Sequence, residues 1–293
     1  MKTAASHRYL RSRSARVHQG IALDYRTNVM PTLDAERRRE SNWAVMSETA
    51  EHLIDSPLKR VHLAAYGFPQ FRRFVVNELL RKPVDLILLD ITCLTKIHTM
   101  ALAATLASSN LRLSWIVAYS SPENYTGFDE MDAQRSSWKD IIIAPLPESA
   151  FLFNESSSRG VVLPGHEADR LVVALAEIEP SGGVVVVAES AGRPDLKLVS
   201  ERRNRQIFRQ LTRSKGPAWT KRIVSIADIN EMRRIVWAEV TQAKAKLAPV
   251  ILFPYGPKPL IFASVFELVR HIQKHLGLCT QFRPAMMPTT QKV

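Results

Sequence analysis

The sequence predicts an α/β fold of Rossmann-like type, a mostly parallel sheet with helices on both faces, arranged as two similar halves. Three observations carry that expectation. Apolar strand-like runs alternate with amphipathic helical stretches along most of the chain. Two of the runs, DLILLD ending at Asp90 and GGVVVVAES around Val184 to Ala188, are too apolar for a strand with one wet face and suit strands buried on both, as in parallel sheets. The halves also echo each other: Gly67 precedes Pro83 and a buried strand at nearly the spacing by which Gly165 precedes Pro180 and another.

Taken in order, residues 1–57 read as a basic leader, partly disordered or helical, with a short helix from Asp34 to Leu53 and the cluster Glu36 to Glu40. The first half spans 58–147. It opens on a strand from Lys59 to Gly67, and a helix follows on which Phe71, Phe74, Val75 and Leu79 recur at helical spacing. After Pro83 come the strand ending at Asp90, a turn, an alanine- and leucine-rich helix, a strand over 113–119, an acidic loop and a strand over 140–146. The serine-bearing stretch from Pro147 to Arg159 is the candidate boundary.

The second half spans 158–276. A strand leads to Gly165, then a helix with Leu171, Val172, Leu175 and Ile178 on one face, then Pro180 and the valine-rich strand. From Pro194 to Ser214 a single helix is expected, with Arg202, Arg203, Arg205, Arg209 and Arg213. Arg202, Arg205 and Arg209 follow i, i+3, i+7 and share one side. A strand, a helix with Asp228 as N-cap three residues before Glu231, and the strand VILFP precede the last helix, Pro259 to about His275. Residues 277–293 read as an irregular tail.

The formal charge of +12 points toward a nucleic acid, a nucleotide or another acidic partner, or else a solvated basic surface. Cys93 and Cys279 stand far apart, which suggests neither a disulfide framework nor a cysteine zinc site and favours a reducing compartment. With no long apolar run, the expectation is a soluble, cytoplasmic protein without a membrane partner. The cations Lys2, Arg8, Arg11, Arg13 and Arg16 before the first acidic residue, Asp24, leave an organelle transit peptide as the alternative to a basic tail.

The candidate chemistry gathers at strand ends, because an open parallel sheet receives ligands beyond the carboxyl ends of its strands, where helix N-termini present unpaired N–H groups. Tyr255, Gly256, Pro257 and Lys258 form one such turn. Lys258 brings a charge to where a phosphate would bind, Pro257 removes a backbone donor, and Pro259 suits a first helical turn. The turn lacks the length and the hydroxyl of a phosphate loop, so an exposed turn lysine is the competing reading.

Asp90, Thr92 and Lys96 follow another buried strand and would reach the same edge, to orient a ribose or phosphate; alternatively Thr92 caps the next helix and Asp90 pairs with Lys96. Gly165 and His166 open a third turn. The His-Glu pair there is no zinc helix, since Arg170 stands where the second histidine would be, leaving His166 as a base or hydrogen-bond donor and Glu167 and Asp169 to complement the helix dipole. Neither Gly-x-Ser-x-Gly nor Gly-x-Gly-x-x-Gly occurs, and no metal or cofactor is expected.

From about 160 to 270, the turn LPGHEADR, the strand GGVVVVAES, the basic helix and the late strand and turn VILFPYGPKPLIFA resemble the CARF family, ligand-sensing Rossmann-like domains that accompany CRISPR effectors. The resemblance implies a pocket for cyclic oligonucleotides at a dimer interface, with Gly256 and Lys258 against a phosphate, and so leaves a homodimer open. Pro257 departs from it, standing where that family has a hydroxyl residue. The leading expectation is a defence-associated sensor or accessory protein that receives a nucleotide or other phosphorylated ligand. Two alternatives stand beside it: a nucleotide-processing enzyme using His166 or a carboxylate such as Glu123 or Asp90, and an interaction subunit gripping nucleic acid with Arg202, Arg205, Arg209 and Arg213.

Overall fold

Among the described residues every strand pairing is parallel, as the doubly buried apolar runs require. The computed structural model describes residues 17, 19–26, 32–52, 54–64, 68–80, 86–109, 114–120, 158–165, 168–211, 218–245 and 248–275. The strand expected over 140–146, Gly67, Pro83 and the tail 277–293 lie outside them.

The first unit begins inside the stretch expected to be a leader. Ile21–Arg26 (β1) pairs with Lys59–Ala64 (β2), and Leu33–Glu51 (α1) is the crossover between them. Residues 21–51 therefore belong to a βαβ unit. Asp24 made β1 hard to recognise as a strand, because Leu23, which packs against the core, is followed by a carboxylate that the fold neutralises. Arg60 grips Asp24 at 2.9 Å and Glu40 through both guanidinium arms at 2.9 and 2.8 Å, and lies 5.0 Å above the Trp43 ring. That network seats α1 on the pair.

Phe68–Phe74 (α2) runs on into a π-helical stretch, Val75–Leu80. Leu86–Asp90 (β3) and Ser114–Ala118 (β4) then pair with Lys96–Ala107 (α3) as crossover. From His98 to Ala107 every residue of α3 is buried, which suits a helix that is apolar all round and small enough in its side chains to be packed on several sides.

The second half forms a four-stranded sheet from Arg159–Leu163 (β5), Gly182–Glu189 (β6), Trp219–Ser225 (β7) and Val250–Pro254 (β8), in the order β7-β6-β5-β8. Strand alternation sorts its two faces. Val161, Leu163, Val184 and Val186 face Ile229–Ala245 (α7) and Lys258–His275 (α8). Val162, Val185, Trp219 and Phe253 face Ala168–Ile178 (α4) and the segment that carries Ile207 and Leu211. At the amino ends of the strands, a Cβ on Gly160 would lie 2.8 Å from the Trp219 ring, so Gly160 makes room for the indole, and one on Gly183 would collide with the Gly160 carbonyl, so Gly183 lets the two backbones approach.

The helix expected over 194–214 is two helices, Pro194–Arg203 (α5) and Arg205–Arg209 (α6), broken at Asn204. The physical reason is a side chain that turns inward to bond two backbone carbonyls, one of them in a different turn of the chain. Among the described residues the strands make three separate sheets, but the halves share one core. Helix α3 packs along α8, where Leu260, Ile261 and Phe262 are fully buried and Trp115 of β4 meets Phe262 edge-on at 5.3 Å. Each such side chain contributes about 1.5–3 kcal/mol through burial, so the joint between halves is strongly apolar.

Candidate functional site

Strand β5 is flanked by β6 and β7 on one side and by β8 on the other, so the chain direction of winding reverses between β5 and β8. At such a reversal the turns leaving the two strands diverge toward opposite faces, and the crevice between them is where ligands bind in open α/β sheets. The turn after β5 carries Gly165. The turn after β8 carries Tyr255, Gly256, Pro257 and Lys258. Here the two turns touch: a Cβ on Gly165 would collide with the Tyr255 carbonyl oxygen, and one on Gly256 would lie 3.1 Å from Leu163 Cβ. Gly165 needs glycine for close approach rather than for an unusual backbone angle, and Gly256 is tightly packed for the same reason.

The packing of α3 on α8 brings the turn after β3 to the same place. Both helices begin with a lysine, and each lysine reaches across to the other's turn. Lys96 Nζ donates to the Tyr255 carbonyl at 2.8 Å, and Lys258 Nζ donates to the Thr92 carbonyl at 2.6 Å. The turn that holds Thr92 is itself fastened. Asp90 Oδ1 accepts the Thr92 N–H at 2.9 Å, and Thr92 Oγ1 accepts the Ser120 N–H at 2.9 Å.

Tyr255, Gly256, Lys258, Gly165, Asp90, Thr92 and Lys96, chosen from three separate strand ends, thus meet in one site. His166 lies outside the described residues, as do Glu123 and Arg213. Thr92 is not the helix cap: Thr95 caps α3, its hydroxyl accepting the His98 N–H at 3.2 Å while also bonding His98 Nδ1 at 2.7 Å. The Thr92 hydroxyl is already committed to Ser120 on the neighbouring strand's exit, which leaves the capping position to the residue three places later.

The electrostatics of the site run against what an empty fold would favour. Burial pushes the Lys258 ammonium below its ordinary value, with Cys93 and Asp90 pulling it back up and the Lys96 charge pushing it further down. Cys93 is exposed as a residue, yet local desolvation of its sulfur, reinforced by Asp90, raises the thiol, and Lys258 opposes that rise. Two lysines in the first turns of two neighbouring helices also oppose both helix dipoles, whose positive ends prefer anions. The arrangement sets two ammonium groups, with the Asp90 carboxylate near them, at the turns that follow β3 and β8.

Two features of this region escaped the sequence reading. Asn204, fully buried, donates Nδ2 to the Gly165 carbonyl and to the Ser200 carbonyl, both at 2.8 Å, and so ties the α5–α6 junction to the turn after β5. Its one signal in the sequence was a weak helix former inside an otherwise helical basic stretch. The buried pair Arg159 and Glu239, bonded at 2.7 Å, anchors α7 to the start of β5 and gave no signal, since either residue alone reads as solvated surface.

Arg202, Arg205 and Arg209 are exposed on α5 and α6, away from the inward Asn204 and Ile207. Among the described residues no helix is long and apolar enough to cross a membrane. No protein-family model matches the chain, and neither a curated protein nor a solved structure was found to match it.

Proposed function

We propose that the protein is a Rossmann-like ligand-binding sensor or accessory component that receives a nucleotide or other phosphorylated ligand at the carboxyl edge of its sheet. The observation that carries this reading is the pair Lys96 and Lys258: two cations at two helix N-termini, one of them depressed by burial and by the other's charge. The bond to the Thr92 carbonyl compensates the Lys258 ammonium only in part, since burial and Lys96 still hold its ionisation down. An anion completes the compensation, because it reverses the burial penalty and the lysine repulsion and satisfies the helix dipoles together. The CARF-like reading of the turn VILFPYGPKPLIFA belongs to the same proposal, with Lys258 on a phosphate.

The test is calorimetric titration of inorganic phosphate and of the four nucleoside monophosphates into the wild type and into Lys258→Met. Binding that the substitution weakens supports the reading; equal affinity in the variant rejects it.

A second reading rests on the exposed arginines of α5 and α6, which would hold a nucleic acid backbone by charge. It differs in its salt dependence, since displacement of counterions makes such binding collapse as ionic strength rises.

A further inference from the structure

At the junction of α5 and α6 two polar side chains are buried without a protein partner for one atom each. Asn204 Oδ1 is one, in a residue of zero exposure; Ser200 Oγ is the other, in a residue 8% exposed. The amide orientation is fixed by its bonds. Nδ2 donates both hydrogens to carbonyls, of Gly165 and Ser200, and turning the amide over would set oxygen against oxygen twice. The remaining atom is therefore an acceptor that asks for a donor.

Ser200 is as unusual. Five helical hydroxyls among the described residues, those of Thr49, Thr99, Thr105, Thr241 and Ser264, donate to the carbonyl four residues back, whereas Ser200 Oγ does not. Ser200 stands four residues before Asn204, and Asn204 is bonded to the Gly165 turn, which in turn abuts the Tyr255 carbonyl that Lys96 engages. A continuous line of contacts therefore runs from Asn204 through Gly165 and Tyr255 to the paired lysines.

We infer that Ser200 and Asn204 form a second, uncharged subsite of the crevice, which takes a donor-bearing neutral group, a base N–H or sugar hydroxyl, of a ligand whose phosphate lies at Lys96 and Lys258. The inference rests on the proposed anion site. It adds that the ligand is a nucleoside phosphate or phosphosugar rather than a simple anion. Buried acceptors of this kind discriminate strongly, because a ligand that lacks the donor leaves them unpaired.

Ser200→Ala is the informative variant. The hydroxyl has no intramolecular bond to lose, so its melting temperature should equal or exceed that of the wild type. Calorimetric titration with inorganic phosphate, ribose 5-phosphate and AMP, GMP, CMP and UMP gives the affinities. At least one organic phosphate should bind tenfold or more tighter than inorganic phosphate, and Ser200→Ala should cut that advantage about fivefold while leaving inorganic phosphate unchanged. An advantage that Ser200→Ala leaves intact, or none over inorganic phosphate across the series, overturns the subsite while Lys258-dependent phosphate binding still stands. Phosphate binding that Lys258→Met leaves unchanged overturns the anion site and this inference with it.

Discussion

Replacing Lys258 by methionine keeps the unbranched apolar stem of the side chain and removes the terminal ammonium with its charge and donors. The lost bond to the Thr92 carbonyl, 2.6 Å long and charge-assisted, would by itself cost about 1.5–3 kcal/mol. Two terms offset it. Burial already disfavours the ammonium, and Lys96 repels it, which is why its ionisation lies below 10.5. The sign follows from linkage: with the folded-state value lowered, the unfolded chain holds more protons between the two values, so the charge is a net burden on stability that lifts as pH rises toward 10.5.

Lys258→Met should therefore lower stability at pH 7 by only about 1 kcal/mol, against the uncompensated loss of such a bond. Its affinity for inorganic phosphate should fall tenfold or more, or about 1.4 kcal/mol. Urea unfolding and calorimetry measure the two quantities on the same samples. Because a bound anion favours the charged lysine, wild-type phosphate binding at alkaline pH should also take up protons, seen as a dependence on the buffer's ionisation heat. A variant destabilised by about 3 kcal/mol or more with phosphate affinity untouched would refute the reasoning and make Lys258 a staple between the halves.

Three further outcomes are expected. His98 is fully buried, and burial holds it down to about 4 from 6.5, so the unfolded chain binds a proton that the folded one refuses. As pH falls from 6.5 to about 4, stability should fall by about 1.4 kcal/mol per pH unit, roughly 3 kcal/mol in all, and His98→Gln should flatten that part of the urea-midpoint profile. Glu239→Leu leaves Arg159 charged and buried and should cost about 3–5 kcal/mol in thermal or urea unfolding, most of it recovered in the double variant with Arg159→Met. Changing Arg202, Arg205 and Arg209 together to glutamine should leave circular dichroism unchanged and lower the salt slope of single-stranded nucleic acid binding by about 2, at roughly 0.7 per phosphate contact; an unchanged slope rejects the arginine face as a contact.

Local periodicity carried most of the secondary structure. The valine run of β6 could be buried only between two helical layers, and the alanine-rich α3 only inside a core, so both were legible without coordinates. Asp228 was read as a cap from its spacing to Glu231, and its carboxylate accepts the Glu231 N–H at 2.9 Å. What misled was polarity with a long-range partner. Asp24 hid a strand because the cation that neutralises it, Arg60, is 36 residues away, and Asn204 broke a helix for the sake of a carbonyl 39 residues earlier.

The candidate site divides the same way. Each turn, with its lysine, glycine or carboxylate at a strand end, was determined by the sequence, because strand, turn and helix signals are short-range. Their convergence was decided by tertiary structure alone. Lys96 and Tyr255 stand 159 residues apart, and they meet because α3 docks lengthwise on α8 and because β8 adds to the far side of β5. No local pattern encodes which buried helix packs against which, since that depends on how whole apolar faces fit; the charge pattern of the site is a consequence of that fit.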